Sequence, residues 1–213
     1  MAPLKVIIFD LYDTLLYRSK KLSPYTAILR SSHKNKRAAT WEHILTHYFP
    51  NSGHLFNSLE RKGLIFEGLN KKLFQEKLDV ELEKIKIYPD VLDSLKELKK
   101  QGYKLGVISN LATPYIKPFF TNELDRLIDY IIFSCEIGFT KPSPVIYDQL
   151  LKKAICDYKT ISFNEMLMIG NNYNHDVWVP KQIGMQALLL DRSGSIQKGV
   201  KINSLSELYI YLQ

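Results

Sequence analysis

The chain has 213 residues, 46% of them hydrophobic and 24% charged, which is the balance of an ordinary globular protein and excludes a disordered, collagenous or disulfide-stapled one. That length allows one full domain with a sizeable insertion, or two small domains. Lysine and arginine outnumber aspartate and glutamate 29 to 22, a net charge of +7; the lysines are scattered in pairs such as Lys71-Lys72, Lys99-Lys100 and Lys152-Lys153, and the densest basic stretch, His33 to Arg37, lacks interleaved aromatics, so solvated helix faces or a small anionic substrate account for the excess better than nucleic acid does.

Lys5 to Phe9 is a short apolar, β-branched run, read as a buried strand ending at Asp10. From Ser23-Pro24 to about Leu82 the apolar spacing is helical, through Tyr25, Ile28 and Leu29, then Trp41, Ile44 and Leu45, then Leu69, Leu73, Leu78 and Leu82. Breaks at Pro50 to Gly53 and at Gly63 cut it into about four helices. After Pro89 the pattern alternates: a helix through Val91, Leu95 and Leu98 with Gly102 as its C-cap, a strand from Lys104 to Ile108, and a helix around Pro114 to Phe120. It continues with a strand at Tyr130 to Phe133, a helix at Ser143 to Ala154, a strand at Met166 to Ile169, a helix near Pro180 to Ile183, a strand at Ala187 to Leu190 and a helix at Ser204 to Leu212. Strands separated by helices predict an α/β fold with a Rossmann-like parallel sheet and an inserted helical bundle. No apolar run approaches the roughly 18 residues of a membrane span, and no basic-then-apolar secretion signal opens the chain. Cys135 and Cys156 then read as inert free thiols in a cytoplasmic protein.

In parallel sheets the ligand lies beyond the carboxyl ends of the strands, where Asp10, Ser109 and Gly170-Asn171 are expected. The segment Asp10-Leu11-Tyr12-Asp13-Thr14 resembles the first motif of the haloacid dehalogenase (HAD)-like hydrolase superfamily. Val107-Ile108-Ser109-Asn110 resembles the second motif and Lys141-Pro142-Ser143-Pro144 the third. Gly170 to Asp176 resembles the fourth, usually Gly-Asp-x-x-x-x-Asp. The resemblance covers residues 1–16 and 86–213; residues 17–85 resemble the helical C1 cap of subfamily I, which would enclose a small substrate and exclude water.

Carried over residue by residue, the resemblance implies Asp10 as the nucleophile of a covalent aspartyl intermediate. Ser109 and Lys141 would hold substrate oxygens and offset transition-state charge, with Thr14 and Asn110 also at the substrate. Lys141 would screen Asp10 from Asp176. Magnesium would be held by Asp10, the Tyr12 carbonyl, Asn171 and Asp176, although Asp176 also reads as a cap for a helix starting near Pro180. The chain departs from the pattern in three places. Tyr12 stands where a general acid is usual, Asn171 where the first metal-binding acid is usual, and Val179 where a glycine is common. Asp13, at a frequent glycine, would project differently and is no evident replacement acid. Loss of the acid costs about 10²–10⁴-fold, which leaves a usable enzyme toward good leaving groups.

The leading expectation is magnesium-dependent hydrolysis of a small phosphate ester. Tyr12 also suits a metal-independent 2-haloacid dehalogenase, since halide leaves unprotonated, whereas Tyr173 and Gly170 do not fit the dehalogenase fourth motif. A catalytically degenerate binding protein is the third reading. His43 and His47, four residues apart, read as a partly exposed helix pair rather than a zinc site, and His175 as either a site-lining or a solvent-facing residue. Trp41, Tyr48, Phe56 and Phe66 read as packing of the helical insertion, with contact between one of them and substrate as the alternative.

Overall fold

The computed structural model describes residues 3–65, 68–195 and 200–212. In chain order the strands are β1 (Val6–Phe9), β2 (Leu16–Arg18), β3 (Ile85–Ile87), β4 (Lys104–Ser109), β5 (Tyr130–Phe133), β6 (Met166–Gly170), β7 (Gln186–Leu190) and β8 (Lys201–Ile202). The helices are α1 (Tyr25–Arg30), α2 (Arg37–Thr46), α3 (Ser52–Arg61), α4 (Lys71–Glu83), α5 (Val91–Lys100), α6 (Lys117–Thr121), α7 (Ser134–Ile137), α8 (Pro144–Ala154), α9 (Val179–Gln182) and α10 (Leu208–Leu212). Six strands form one parallel sheet in the order β5-β4-β1-β6-β7-β8. This is the predicted Rossmann-like α/β sheet.

The four residues of β1 are all fully buried because the strand is central and covered on both faces. Ile7 and Phe9 pack on one side with Leu105, Val107, Leu95 and Leu98; Val6 and Ile8 pack on the other with Tyr147 and Leu150 of α8. Gly106 of β4 permits that second packing, since a Cβ there would come within 2.7 Å of the Leu150 side chain. The register sets Phe9 beside Val107 and Ile169, so β4, β1 and β6 end side by side and put Ser109, Asp10 and Gly170 on one edge.

Helices α1 to α4 lie between β2 and β3, which pair antiparallel as a two-stranded ribbon. The spacing did not predict the ribbon, and the expected boundaries at residues 16/17 and 85/86 fall within it. The insertion's apolar side (Tyr25, Ile28, Ile44, Phe56, Phe74, Leu78) joins the sheet's first core through Leu11, Leu15 and Tyr115. Asn51 and Asn70 cap α3 and α4 by accepting from His54 and Leu73 amides. Two aromatics depart from expectation: Tyr48 is 57% and Trp41 40% exposed, while Phe56 packs inside as predicted. Phe66 lies outside the described residues. His43 is buried, not partly exposed, because its Nε2 pairs with the Ser58 hydroxyl at 2.9 Å. The predicted helix at 114–120 is a 3₁₀ turn followed by α6, and the C-terminal helix likewise opens with a 3₁₀ turn. Cys135 is buried and Cys156 exposed, both as free thiols. Among the described residues no helix is long and apolar enough to cross a membrane.

Candidate active site

Three motif residues that are far apart in sequence meet at the strand edge. The Lys141 Nζ donates to Asp10 Oδ1 at 2.7 Å and to Asp176 Oδ1 at 2.6 Å. All three are buried, Lys141 at 3% exposure. A buried ammonium survives only when its lost hydration is replaced. Burial works against the Lys141 charge, but the two carboxylates outweigh it and push its pKa up. Asp10 moves the other way from a typical carboxylate: burial raises its pKa to about 6, Lys141 opposes this, and Asp176 adds to it.

Local structure holds each partner. The Asn110 side chain accepts from the Lys141 amide and donates to the Lys141 carbonyl, both at 2.7 Å. Expected at the substrate, Asn110 is thus engaged with the backbone that carries Lys141. Asp176 lies inside a π-helical turn, Tyr173–Trp178, instead of capping α9. Its Oδ2 accepts from the Asn172 amide at 2.9 Å. Gly170 makes this possible, since a Cβ there would fall on the Asp176 carboxylate. The Tyr147 hydroxyl donates to the His175 carbonyl and pins the same turn. His175 is half-buried, and burial together with Lys141 holds its pKa down.

After β1 the chain turns at Asp13, whose φ of 60° is left-handed, a conformation glycine adopts without cost. Asp13 instead pairs with Arg18 at 3.2 Å. Tyr12 donates its hydroxyl to the Tyr115 carbonyl at 2.8 Å, and burial pushes its pKa up. Thr14 is fully buried, and among the described residues its hydroxyl has no hydrogen-bond partner. Its carbonyl accepts from Arg192 Nε and Nη2 at 3.0 and 2.7 Å, while Arg192 Nη1 bonds both oxygens of Asp90 at 2.9 Å. Sequence reasoning missed Arg192, which is 178 residues from the turn it holds. It also missed Arg18 and Tyr25, which face a cavity beside Tyr12 and Asn110. Ser109 is buried at the end of β4.

Among the described residues no group of three or more His, Cys, Asp and Glu side chains forms a metal cage, and Asn171 is exposed on a second cleft with Asp13 and Arg192. Asp10 and Asp176 are still two hard oxygen donors carrying one charge more than Lys141 offsets. Magnesium is commonly held by one or two carboxylates with substrate phosphate completing its shell. The donors present fit an ion shared with a phosphorylated ligand.

A family model described as haloacid dehalogenase-like hydrolase matches residues 4–184. The chain is 28% identical over 114 residues to glyceraldehyde 3-phosphate phosphatase of Methanothermobacter thermautotrophicus, which is 53% of this chain and 48% of that protein, so it spans about half the length of that relative. It is 23% identical to (S)-2-haloacid dehalogenase 4A of Burkholderia cepacia over 97% of this chain and 94% of that one. A HAD phosphatase from Thermococcus onnurineus has the same fold, with TM-score 0.68 and 21% identity over 98% of both chains. Relatives of both chemistries thus share this architecture, and with the family match spanning most of its length the chain belongs to the haloacid dehalogenase-like hydrolases.

Proposed function

We propose that this hydrolase cleaves small phosphate monoesters through an aspartyl-phosphate on Asp10. The observation that carries the reading is the Asp10–Lys141–Asp176 cluster, a carboxylate held at a strand end by a buried cation, beside a cavity that Tyr12 and Asn110 line. An Asp10 oxygen attacks phosphorus, the P–O ester bond breaks, and its electron pair leaves with the alcohol oxygen, which takes a proton from water. Water then attacks the same phosphorus, and Asp10 departs as a carboxylate with inorganic phosphate released. Lys141, Ser109 and the Thr14 hydroxyl, which is unpartnered among the described residues, would bind the phosphoryl oxygens. Asp10, the Tyr12 carbonyl and Asp176 would hold magnesium, with Asn171 at the rim of the turn. When bound it supplies positive charge to the phosphoryl oxygens. Helices α1 to α4 would act as the cap that excludes water and selects the substrate, and a cytoplasmic location fits free thiols.

One observation favours a second reading. Tyr12, at the usual position of the general acid, donates its hydroxyl to the Tyr115 carbonyl, and halide displacement from a 2-haloacid by Asp10 needs no acid. Hydrolysis of 4-nitrophenyl phosphate with and without magnesium, beside Asp10→Asn, separates the two. Magnesium-dependent turnover absent from the variant is expected. Turnover of 2-chloropropionate alone would replace the phosphatase reading with dehalogenation, and turnover of neither would leave a binding protein.

A further inference from the structure

A cavity of about 330 Å³ lies between the strand ends and helices α1, α2 and α4, at the small end of ligand-enclosing volumes. The rings of Tyr12, Tyr25, Trp41 and Tyr115 form its walls. Tyr25 stands edge-on to Trp41, with ring centroids 5.9 Å apart. Among the described residues two buried polar groups here have no hydrogen-bond partner, the Tyr25 hydroxyl and Arg18 Nε. Tyr25 is 6% exposed. The one carboxylate among the lining residues, Glu81, is already satisfied by the Leu22 and Ser23 amides and the Tyr115 hydroxyl. Arg18 Nε can only donate and the Tyr25 hydroxyl can donate, so a ligand that supplies an acceptor satisfies both.

Among the lining residues no carboxylic acid is free to protonate a departing oxygen, since Glu81 is held as an acceptor by three donors, and the Tyr12 hydroxyl is tied to Tyr115. A phenol ionises near pH ~10, whereas water, close to an alcohol in acidity, ionises near ~15.7. A phenolate can therefore leave unassisted where an alkoxide cannot.

We infer that the site selects aryl phosphates whose ring carries a carboxylate or a similar anionic acceptor, the ring lying among Tyr25, Trp41 and Tyr115 and the acceptor on Arg18 Nε and the Tyr25 hydroxyl. The inference rests on the phosphatase reading and names its substrate class. As Asp10 bonds to phosphorus, the P–O(aryl) bond breaks, the phenolate keeps the pair and is protonated by water, and hydrolysis of the aspartyl-phosphate regenerates Asp10.

The test compares kcat/KM for 4-carboxyphenyl, phenyl and 2-phenylethyl phosphates with magnesium present. Phenyl phosphate should exceed the alkyl ester by at least about 100-fold, the lower range of a missing general acid. The carboxylated ester should exceed phenyl phosphate by roughly tenfold, the worth of one hydrogen bond to a charged group. Arg18→Met should bring that second ratio close to one, and a ratio within one variant cancels any general damage to it. Tyr25→Phe should lower it partway. Saturable quenching of Trp41 fluorescence by 4-hydroxybenzoate, lost in Trp41→Phe and weakened in Arg18→Met, reads the same contact without turnover. Equal rates on aryl and alkyl esters would overturn the inference and leave the phosphatase standing. An unchanged carboxylate preference in Arg18→Met would overturn the assigned contact. Failure of every ester to exceed the Asp10→Asn background would remove the phosphatase reading itself.

Discussion

At the strand ends each buried charge has a counter-charge within 2.7 Å, as Lys141 does with Asp10 and Asp176. In the cavity alongside, walled by helices of the insertion, the Tyr25 hydroxyl and Arg18 Nε have no partner among the described residues. The charges of the first arrangement are complete without a ligand, whereas the polar groups of the second are not. Groups that do chemistry must be preorganised, because reorienting them during the reaction adds to the barrier. Groups that choose a substrate can wait for it to supply their acceptors. The sheet edge is therefore the place to look for reaction type, and the insertion for specificity.

The sharpest way to break this contrast is Lys141→Met, which keeps the volume and removes the charge. Two buried carboxylates then share the strand edge without a cation. Removing one partner of a buried ion pair costs roughly 3–5 kcal/mol, and loss of a charge-stabilising donor lowers kcat by about 10²–10³-fold. Urea unfolding and turnover should both fall. Full stability in the variant would mean that the cluster is not held by its charges.

Arg192→Met tests whether the complete side depends on anchoring from outside the motifs. Its guanidinium joins the Thr14 carbonyl to Asp90 and lies 3.9 Å from the Tyr88 ring centroid. Asp90 would keep the Ser204 hydroxyl and the Leu205 amide, so the expected loss is smaller, on the order of 2 kcal/mol. The turn carrying Asp10 and Tyr12 would loosen, and kcat should fall severalfold with little change in KM. Arg192→Lys should restore stability only in part, since an ammonium cannot reproduce the planar fork. Equal falls in activity and folded fraction would make Arg192 structural alone.

The complete side was also the legible one. Strands β1 and β5 stand where the apolar runs predicted them, and Asp10, Ser109 and Gly170 share an edge because parallel strands end together. Lys141 and Asp176 were found through motif order, which encodes their convergence although spacing alone does not. The ribbon was not legible: in β2 only Leu16 is buried, and three residues are too few to show alternation. The π-helical turn at 173–178 gave no periodic signal either. Composition placed aromatic residues in the insertion without saying which face in, so Tyr48 was misread. Arg18, Tyr25 and Arg192 matter through tertiary contacts that no local pattern carries.

The smallest expected effect lies wholly in the insertion, where a titratable group is buried without a counter-charge. The His43 ring lies tilted against His47 with ring centroids 4.0 Å apart, and it bonds the Ser58 hydroxyl. Burial, then His47 and Lys62, hold its pKa down to about 4. The unfolded imidazole takes up its proton near pH 6.5, so between those values the unfolded chain binds more protons. Stability from this group is complete above pH 6.5 and falls as the pH drops toward 4. Between pH 6.5 and 5 the loss is on the order of 1.5 kcal/mol, since the full slope of about 1.36 kcal/mol per pH unit is reached only below the unfolded pKa. Asp10, with its raised pKa, titrates with the opposite sign over part of this window. The measurement is therefore the difference in unfolding free energy between wild type and His43→Gln, which carries Asp10 unchanged in both. The two curves should diverge in slope from pH 6.5 downward, whereas parallel curves would place the His43 proton in the folded state and return the insertion to the electrostatic pattern of the strand edge.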